Sequence, residues 1–176
     1  MKTDDRFRYS IDCPSPVGVW TILSDGAAVV GVYLAGQRHL PIIPRDLPTN
    51  AVCKKAARQI TEYFAGKRSE FDLPLAPAGT EFEERVWNAL REIPYGTTWS
   101  YGQLARHIGA PKAARAVGAA NGQNPIAVII PCHRVIGSNG KHVGYAGGLN
   151  VKAWLLEHEA PFARPTKRRG ERLLPL

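Results

Sequence analysis

The stretch Pro74-Leu75-Ala76-Pro77-Ala78-Gly79, followed at once by Thr80 and Glu83, constrains the fold of this chain more than any other feature. Its prolines lack an amide hydrogen and clash with a preceding helical turn, so neither a helix nor a central strand can run through it. The segment reads as a linker. Thr80 with Glu83 has the form of a capping box ahead of Phe82, Val86, Trp87 and Leu90, which share one helical face. The chain should therefore fold as two units, residues 1–73 and 80–160, joined by 74–79 and followed by a basic flexible tail over 161–176.

Upstream of the break the signals are those of strands. Residues 17–23 and 29–34 are rich in β-formers, and Asp25-Gly26 between them is a hairpin signal. A further strand over about residues 7–11 is expected to pair with them. Past the proline-rich stretch 41–48, Val52, Ala56, Ile60 and Phe64 recur every four residues, and Gly66 stands where a helix C-cap belongs. A small sheet with a covering helix follows.

Downstream the pattern turns helical. Pro94-Tyr95-Gly96 ends the first helix, Ser100 caps a second over 101–108, and Gly109-Ala110-Pro111 turns the chain into a third over 112–121. Two short helices joined by a glycine-containing turn are a helix-turn-helix candidate, although many such pairs only fill a core. Almost every side chain from Ala113 to Ala120 is tiny, with Arg115 the long exception. Such a helix can bring its backbone close to a nucleic-acid groove, and it can equally be buried against a neighbour.

Charge favours the first option. Residues 1–92 carry 12 Lys/Arg and 12 Asp/Glu, residues 93–156 carry 6 and 0, and residues 157–176 carry 5 and 3, which together make the net +8. A polyanion suits the acid-free segment, because each cation that neutralises a phosphate releases a counterion. A solubilising basic surface is the plainer alternative.

Within that segment the apolar run Ile126-Ala127-Val128-Ile129-Ile130 reads as a buried strand and delivers Pro131-Cys132-His133-Arg134-Val135. A thiol beside an imidazole on rigid backbone is how a nucleophile is mounted. A free thiol titrates near ~8.5 and only its thiolate is strongly nucleophilic, so a base or cation must favour ionisation. The three cysteines, Cys13, Cys53 and Cys132, form neither a disulfide framework nor a Cys-x-x-Cys pair. Cys13, Cys53 and His39 are one ligand short of a tetrahedral metal site, so no metal and no cofactor are expected. Met1-Lys2-Thr3-Asp4-Asp5 is too polar to begin a signal peptide and no apolar run approaches the ~20 residues of a membrane span. A cytoplasmic protein is expected, nucleoid-associated if prokaryotic.

Together these pieces resemble the O6-alkylguanine-DNA alkyltransferases, or methylated-DNA–protein-cysteine methyltransferases. The matching pieces are Ile93-Pro94-Tyr95-Gly96 with Ser100-Tyr101; Ala113 to Gly118; Asn124-Pro125; Ile130 to Val135; and Gly144-Tyr145 with Gly147-Gly148-Leu149 through Lys152, Leu155-Leu156 and Glu159. The resemblance covers about residues 80–160 in order and spacing. It implies a ribonuclease H-like α/β N-terminal domain, a small antiparallel sheet plus helix, and a mostly α C-terminal domain with a winged helix-turn-helix.

The resemblance also implies roles. Cys132 would accept the alkyl group irreversibly, with His133 its base through a water and Glu159 orienting the imidazole. Asn124 would brace the turn before Cys132, and Tyr101 would place a hydroxyl where the leaving guanine gains charge. Backbone near Cys132 and Val135 would accept from the guanine amino group. Tyr145, Ala146 and Asn121 would wall the pocket, with Ala146 standing where relatives often carry a hydroxyl. Arg115 would fill the gap left by a flipped nucleotide in the minor groove, with Ala114, Ala116, Gly118 and Lys112 alongside. The partner would be double-stranded DNA containing O6-alkylguanine, with O4-alkylthymine left open. The free protein is expected to be a monomer, with clustering on DNA left open. A Cys-His hydrolase would need an acyl pocket and oxyanion hole that the sequence does not display, and a plain helix-turn-helix regulator would not need Cys132.

Overall fold

The computed structural model describes residues 4–162. The expected basic tail lies mostly in residues 163–176, outside the described residues.

Three antiparallel strands, β1 (Tyr9–Ser15), β2 (Gly18–Ser24) and β3 (Val29–Leu34), form a sheet in that order. The Asp25 carboxylate accepts from the amides of Ala27 and Ala28, both at 2.8 Å, and closes the turn between β2 and β3. Alternation sends Trp20 and Ile22 of β2 to one face and Leu23 to the other. Helix α1 (Ala51–Phe64) covers the first face with Ala56, Ile60 and Tyr63, while Leu23 joins Phe7 and Val30 in a small second core. Asn50 sets where α1 begins, because its side-chain oxygen accepts from Cys53 N at 2.9 Å while its amide reaches Ser24 Oγ at the end of β2.

Helices α2 (Glu81–Leu90), α3 (Tyr101–His107) and α4 (Ala114–Gly122) follow, with α5 (Leu149–Glu159) closing the fold. Thr80–Glu83 forms both bonds of the expected capping box on α2, and Ser100–Gln103 makes a second one on α3. Trp87 of α2 is buried and donates to Ala120 O at 2.8 Å, locking α2 to α4. Helix α4 starts at Ala114, two residues later than the spacing suggests, because Ala110 to Ala113 are spent on the turn after Gly109, which has φ +74°. Strands β4 (Trp99–Ser100) and β5 (Val135–Ile136) pair in parallel across the start of α3. No helix among the described residues is long and apolar enough to cross a membrane.

The two halves meet along the free edge of β3, where the linker 74–79 runs: Val29 N donates to Pro74 O and Ala76 N to Val29 O, so the break lies against the strand edge. One expectation is corrected there. Residues 126–130 are not a strand. Only Ile126 bridges β3, through Val32 N to Pro125 O and Ala127 N to Val32 O, and the chain then coils into a tight buried turn. Apolarity records burial, which a buried turn shows as readily as a strand.

Candidate active site

Inside that turn Val128 has φ +69°, a conformation that costs a β-branched residue about 1–3 kcal/mol. Asn124 holds the turn from within, its amide donating to Ile130 O at 2.8 Å and its oxygen accepting from Ile126 N at 3.0 Å. The turn sets down Cys132 as the first residue of a 3-10 turn, Cys132–Arg134. Cys132 is buried, and its carbonyl accepts from Asn121 Nδ2 at 3.3 Å.

Behind the thiol is a buried polar cluster. His133 Nε2 lies 2.8 Å from Glu159 Oε1, and neither side chain reaches solvent. Glu159 also accepts from Tyr63 OH at 2.7 Å, from Arg134 Nε and Nη2 at 2.8 and 3.1 Å, and from Gly96 N at 3.2 Å. Burial alone would raise its carboxyl, but His133 and Arg134 outweigh that and hold it well below the usual carboxylate range. An anionic Glu159 requires the proton of neutral His133 on Nε2, which leaves the Nδ1 lone pair free; Nδ1 is buried and has no protein partner. Burial pushes the ring below its ordinary value against the pull of Glu159, so the neutral form prevails.

The Cys132 thiol is buried as well. Burial raises its pKa, and the opposing effects of the Asn124 side chain, the Lys152 charge and nearby backbone amides do not cancel that rise. The resting group is a thiol and must be deprotonated during reaction. Lys152 is fully buried and donates to the carbonyls of Val135, Val143 and Gly144 at 2.6, 2.9 and 3.4 Å. Burial lowers it to about 8, with Cys132 opposing.

The pocket facing Cys132 is walled by Asn121, Asn124, Tyr145, Ala146 and, from the N-terminal half, Gln37. Its free space is about 20 Å³, room for a water molecule and far too small for a purine. Arg38 N donates to Ala146 O at 3.0 Å, so both halves hold this wall. Asn121 Oδ1 and Tyr145 OH are buried without protein partners. Tyr101 OH is engaged at 3.0 Å with Val143 O, and the Val135 carbonyl already receives Lys152. A larger cleft lined by Tyr95, Pro131 and Arg134 lies on the other side of the turn and does not include the thiol.

Beside the pocket, α4 turns Val117 and Ala120 inward and leaves Arg115, Ala116, Ala119 and Gly122 exposed, with Lys112 exposed just before it. Ala114 and Gly118 are half-buried, and the Tyr101 ring lies against Gly118. Of the six cations in the acid-free segment, Arg106, Lys112, Arg115 and Lys141 face solvent while Arg134 and Lys152 are interior.

Residues 81–161 match the model of the 6-O-methylguanine DNA methyltransferase DNA binding domain, and residues 9–77 match that of the 6-O-methylguanine DNA methyltransferase ribonuclease-like domain. The chain belongs to the methylated-DNA–protein-cysteine methyltransferase family. It is 49% identical over 146 residues to the methylated-DNA–protein-cysteine methyltransferase of Methanosarcina acetivorans, covering 82% of this chain and 94% of that one. With the Mycobacterium tuberculosis H37Rv protein of the same name it shares 50% over 145 residues, 82% of this chain and 88% of that one. The crystal structure of Mycobacterium tuberculosis OGT in complex with DNA superposes with a TM-score of 0.80 at 45% identity, covering 89% of this chain and 96% of that chain.

In this family member the sequence motifs bring Cys132, His133, Asn124, Tyr145 and Glu159 to one place. Sequence reasoning missed Tyr63 and Gln37, and assigned no role to Arg134 or Lys152. It also missed Ala119 and Gly122, which the i, i+4, i+7 spacing from Arg115 would have placed on the exposed face. For Tyr63, 96 positions from Glu159, no sequence signal existed.

Proposed function

We propose that the protein repairs DNA by direct reversal: it takes O6-alkylguanine out of the duplex and moves the alkyl group, once and irreversibly, to Cys132. The observation that carries this is the buried thiol set beside the His133–Glu159 pair, one turn away from a small-residue helix with an exposed Arg115. Residues 80–160 form the DNA-binding and catalytic half.

Helix α4 enters the minor groove through Arg115, Ala116, Ala119 and Gly122, with Lys112 on a phosphate and Arg115 in place of the flipped nucleotide. The half-buried Ala114 and Gly118 keep the flank of the helix thin. With 20 Å³ free at the thiol, the wall of Tyr145 and Ala146 shifts to admit the base. Neutral His133 takes the thiol proton at Nδ1 through a water, and Glu159 stabilises the imidazolium that results. The thiolate attacks the alkyl carbon, the S–C bond forms as the C–O6 bond breaks, and the electron pair stays on the purine. Tyr101 leaves Val143 O and donates toward the base as that charge develops. Asn124 keeps the strained turn, and so Cys132, in register.

Incubation with duplex carrying O6-methylguanine, followed by intact mass and peptide mapping, tests the reading. A single added methyl on Cys132 and no further turnover is expected. Repeated turnover without retained alkyl would make it a hydrolase, and an unchanged mass with DNA bound would make it a binder only.

A further inference from the structure

Tyr63 lies on α1, in the half of the chain that holds none of the groups assigned to transfer, yet its hydroxyl donates to Glu159 Oε1 at 2.7 Å. The same oxygen faces His133 Nε2 at 2.8 Å and Arg134 Nη2 at 3.1 Å. Three donors therefore share one carboxylate oxygen, while Oε2 takes Arg134 Nε and Gly96 N. Tyr63 cannot swing aside: its ring is fully buried among Phe64, Phe71, Tyr95 and His158, and its own carbonyl is 2.7 Å from His158 Nε2.

We propose that Tyr63 is a positioning residue that sets the basicity of His133 through Glu159, so that the N-terminal half tunes the proton transfer that activates Cys132. This rests on the transfer reaction proposed above. A neutral donor on Oε1 draws charge from the oxygen that stabilises imidazolium, so the ring gives up its proton at a lower pH than it would beside an unshared carboxylate. Tyr63 thereby keeps His133 neutral, with its Nδ1 lone pair available, where the thiol must be deprotonated. The phenol stays a donor throughout, since burial and the Glu159 charge push its own ionisation far above the ordinary tyrosine value.

The other titratable or charged groups facing this pair are Arg134, Lys152, Cys132, Tyr95 and Tyr145. Arg134 and Lys152 act on His133 in the same direction as Tyr63, because a cation disfavours a second positive charge nearby. Both come from the C-terminal half. Tyr63 is the contribution from α1, made from a fully buried position.

The test is the pH dependence of single-turnover transfer by the full-length protein, from free O6-benzylguanine and from alkylated duplex. Tyr63→Phe should move the acid limb of the rate upward by about 0.5–1 pH unit on both substrates, about half of the ~1–2 units that one hydrogen bond to a charged group corresponds to, because the effect reaches His133 only through Glu159. Replacing Tyr63 by 3-fluorotyrosine, a stronger donor of nearly the same shape, should move it downward. Thermal unfolding of the same samples separates this from packing: a variant that melts lower but leaves the limb in place overturns the proposal. Shifts of the same sign in both variants also overturn it. If Tyr63→Phe does not fold, the fluorotyrosine protein decides alone, a downward shift supporting the role and an unmoved limb ending it. Wild-type protein that alkylates Cys132 from neither substrate overturns the functional reading and this role together, whereas normal wild-type transfer with unmoved variants overturns only the role of Tyr63.

Discussion

His133 and Glu159 meet at 2.8 Å in a space neither shares with solvent, and Arg134 sits on the other side of the same carboxylate. The pair and its cation are thus one unit of charge, and removing the carboxylate strands a buried guanidinium. Glu159→Gln should slow transfer from duplex and from free base alike, by about 10- to 100-fold, less than the ~10²–10⁴-fold a general base itself supplies because His133 stays in place. It should also cost about 3–5 kcal/mol of stability, the usual penalty for breaking a buried ion pair. Because the folded-state pKa of Glu159 is depressed, its contribution is complete above the unfolded value near ~4.3 and is lost as pH falls below it. Chemical denaturation at neutral pH and below pH ~4 checks this: the gap between wild type and variant should narrow in acid, and a constant gap rejects the assignment.

Cys132 lies beneath the surface that α4 presents, so its chemistry and DNA binding should separate. Cys132→Ser should bind duplex within about threefold of wild type, well under 1 kcal/mol, and retain no alkyl group. A thioether is too poor a leaving group to restore the thiolate, so wild-type protein should remove no more than one alkyl group per molecule. Titration of substrate against a fixed amount of protein shows whether the plateau stays at one.

The outward face of α4 bears Arg115 and Ala119. Arg115→Ala should slow duplex repair at least tenfold while changing reaction with free O6-benzylguanine less than twofold, since only the duplex requires extrusion. Ala119→Leu should have the same signature by keeping the helix out of the groove, with little effect on melting because the position is exposed. Equal losses on both substrates for either variant would place that residue in the chemistry or in folding.

Asn124 satisfies Ile126 N and Ile130 O inside the turn that holds Val128 at positive φ. Asn124→Ala leaves two buried backbone groups unpaired and should cost about 2–4 kcal/mol, with an accompanying drop in transfer rate on both substrates. Asn124→Asp restores only the acceptor and should recover part of the loss at most. Full activity with unchanged melting in Asn124→Ala would remove its role as a brace.

Local signals were legible where the physics is local. The capping box at Thr80 and Glu83, the Asp25-Gly26 turn, the four-residue apolar spacing of α1 and the small-residue character of α4 each depend on neighbours within a few positions. The motif residues from Asn124 to His133 could be assigned to one site by resemblance, and the structure does bring them together with Glu159.

Other features were decided by contacts between residues far apart in sequence. Apolarity over 126–130 marked burial, but the free edge of β3 takes only Ile126, so the rest became a strained turn. The lack of acids over 93–156 suggested one basic face, yet Arg134 and Lys152 turn inward because Glu159 and three backbone carbonyls wait there to receive them. The capping boxes, the hairpin turn and the helix of residues 51–64 were written in the chain itself, since each rests on short-range sterics and hydrogen bonding. The protonation state of the thiol, the inward course of two cations and the reach of Tyr63 to Glu159 were set only by tertiary packing, because desolvation and charge pairing act between groups that the sequence does not place side by side.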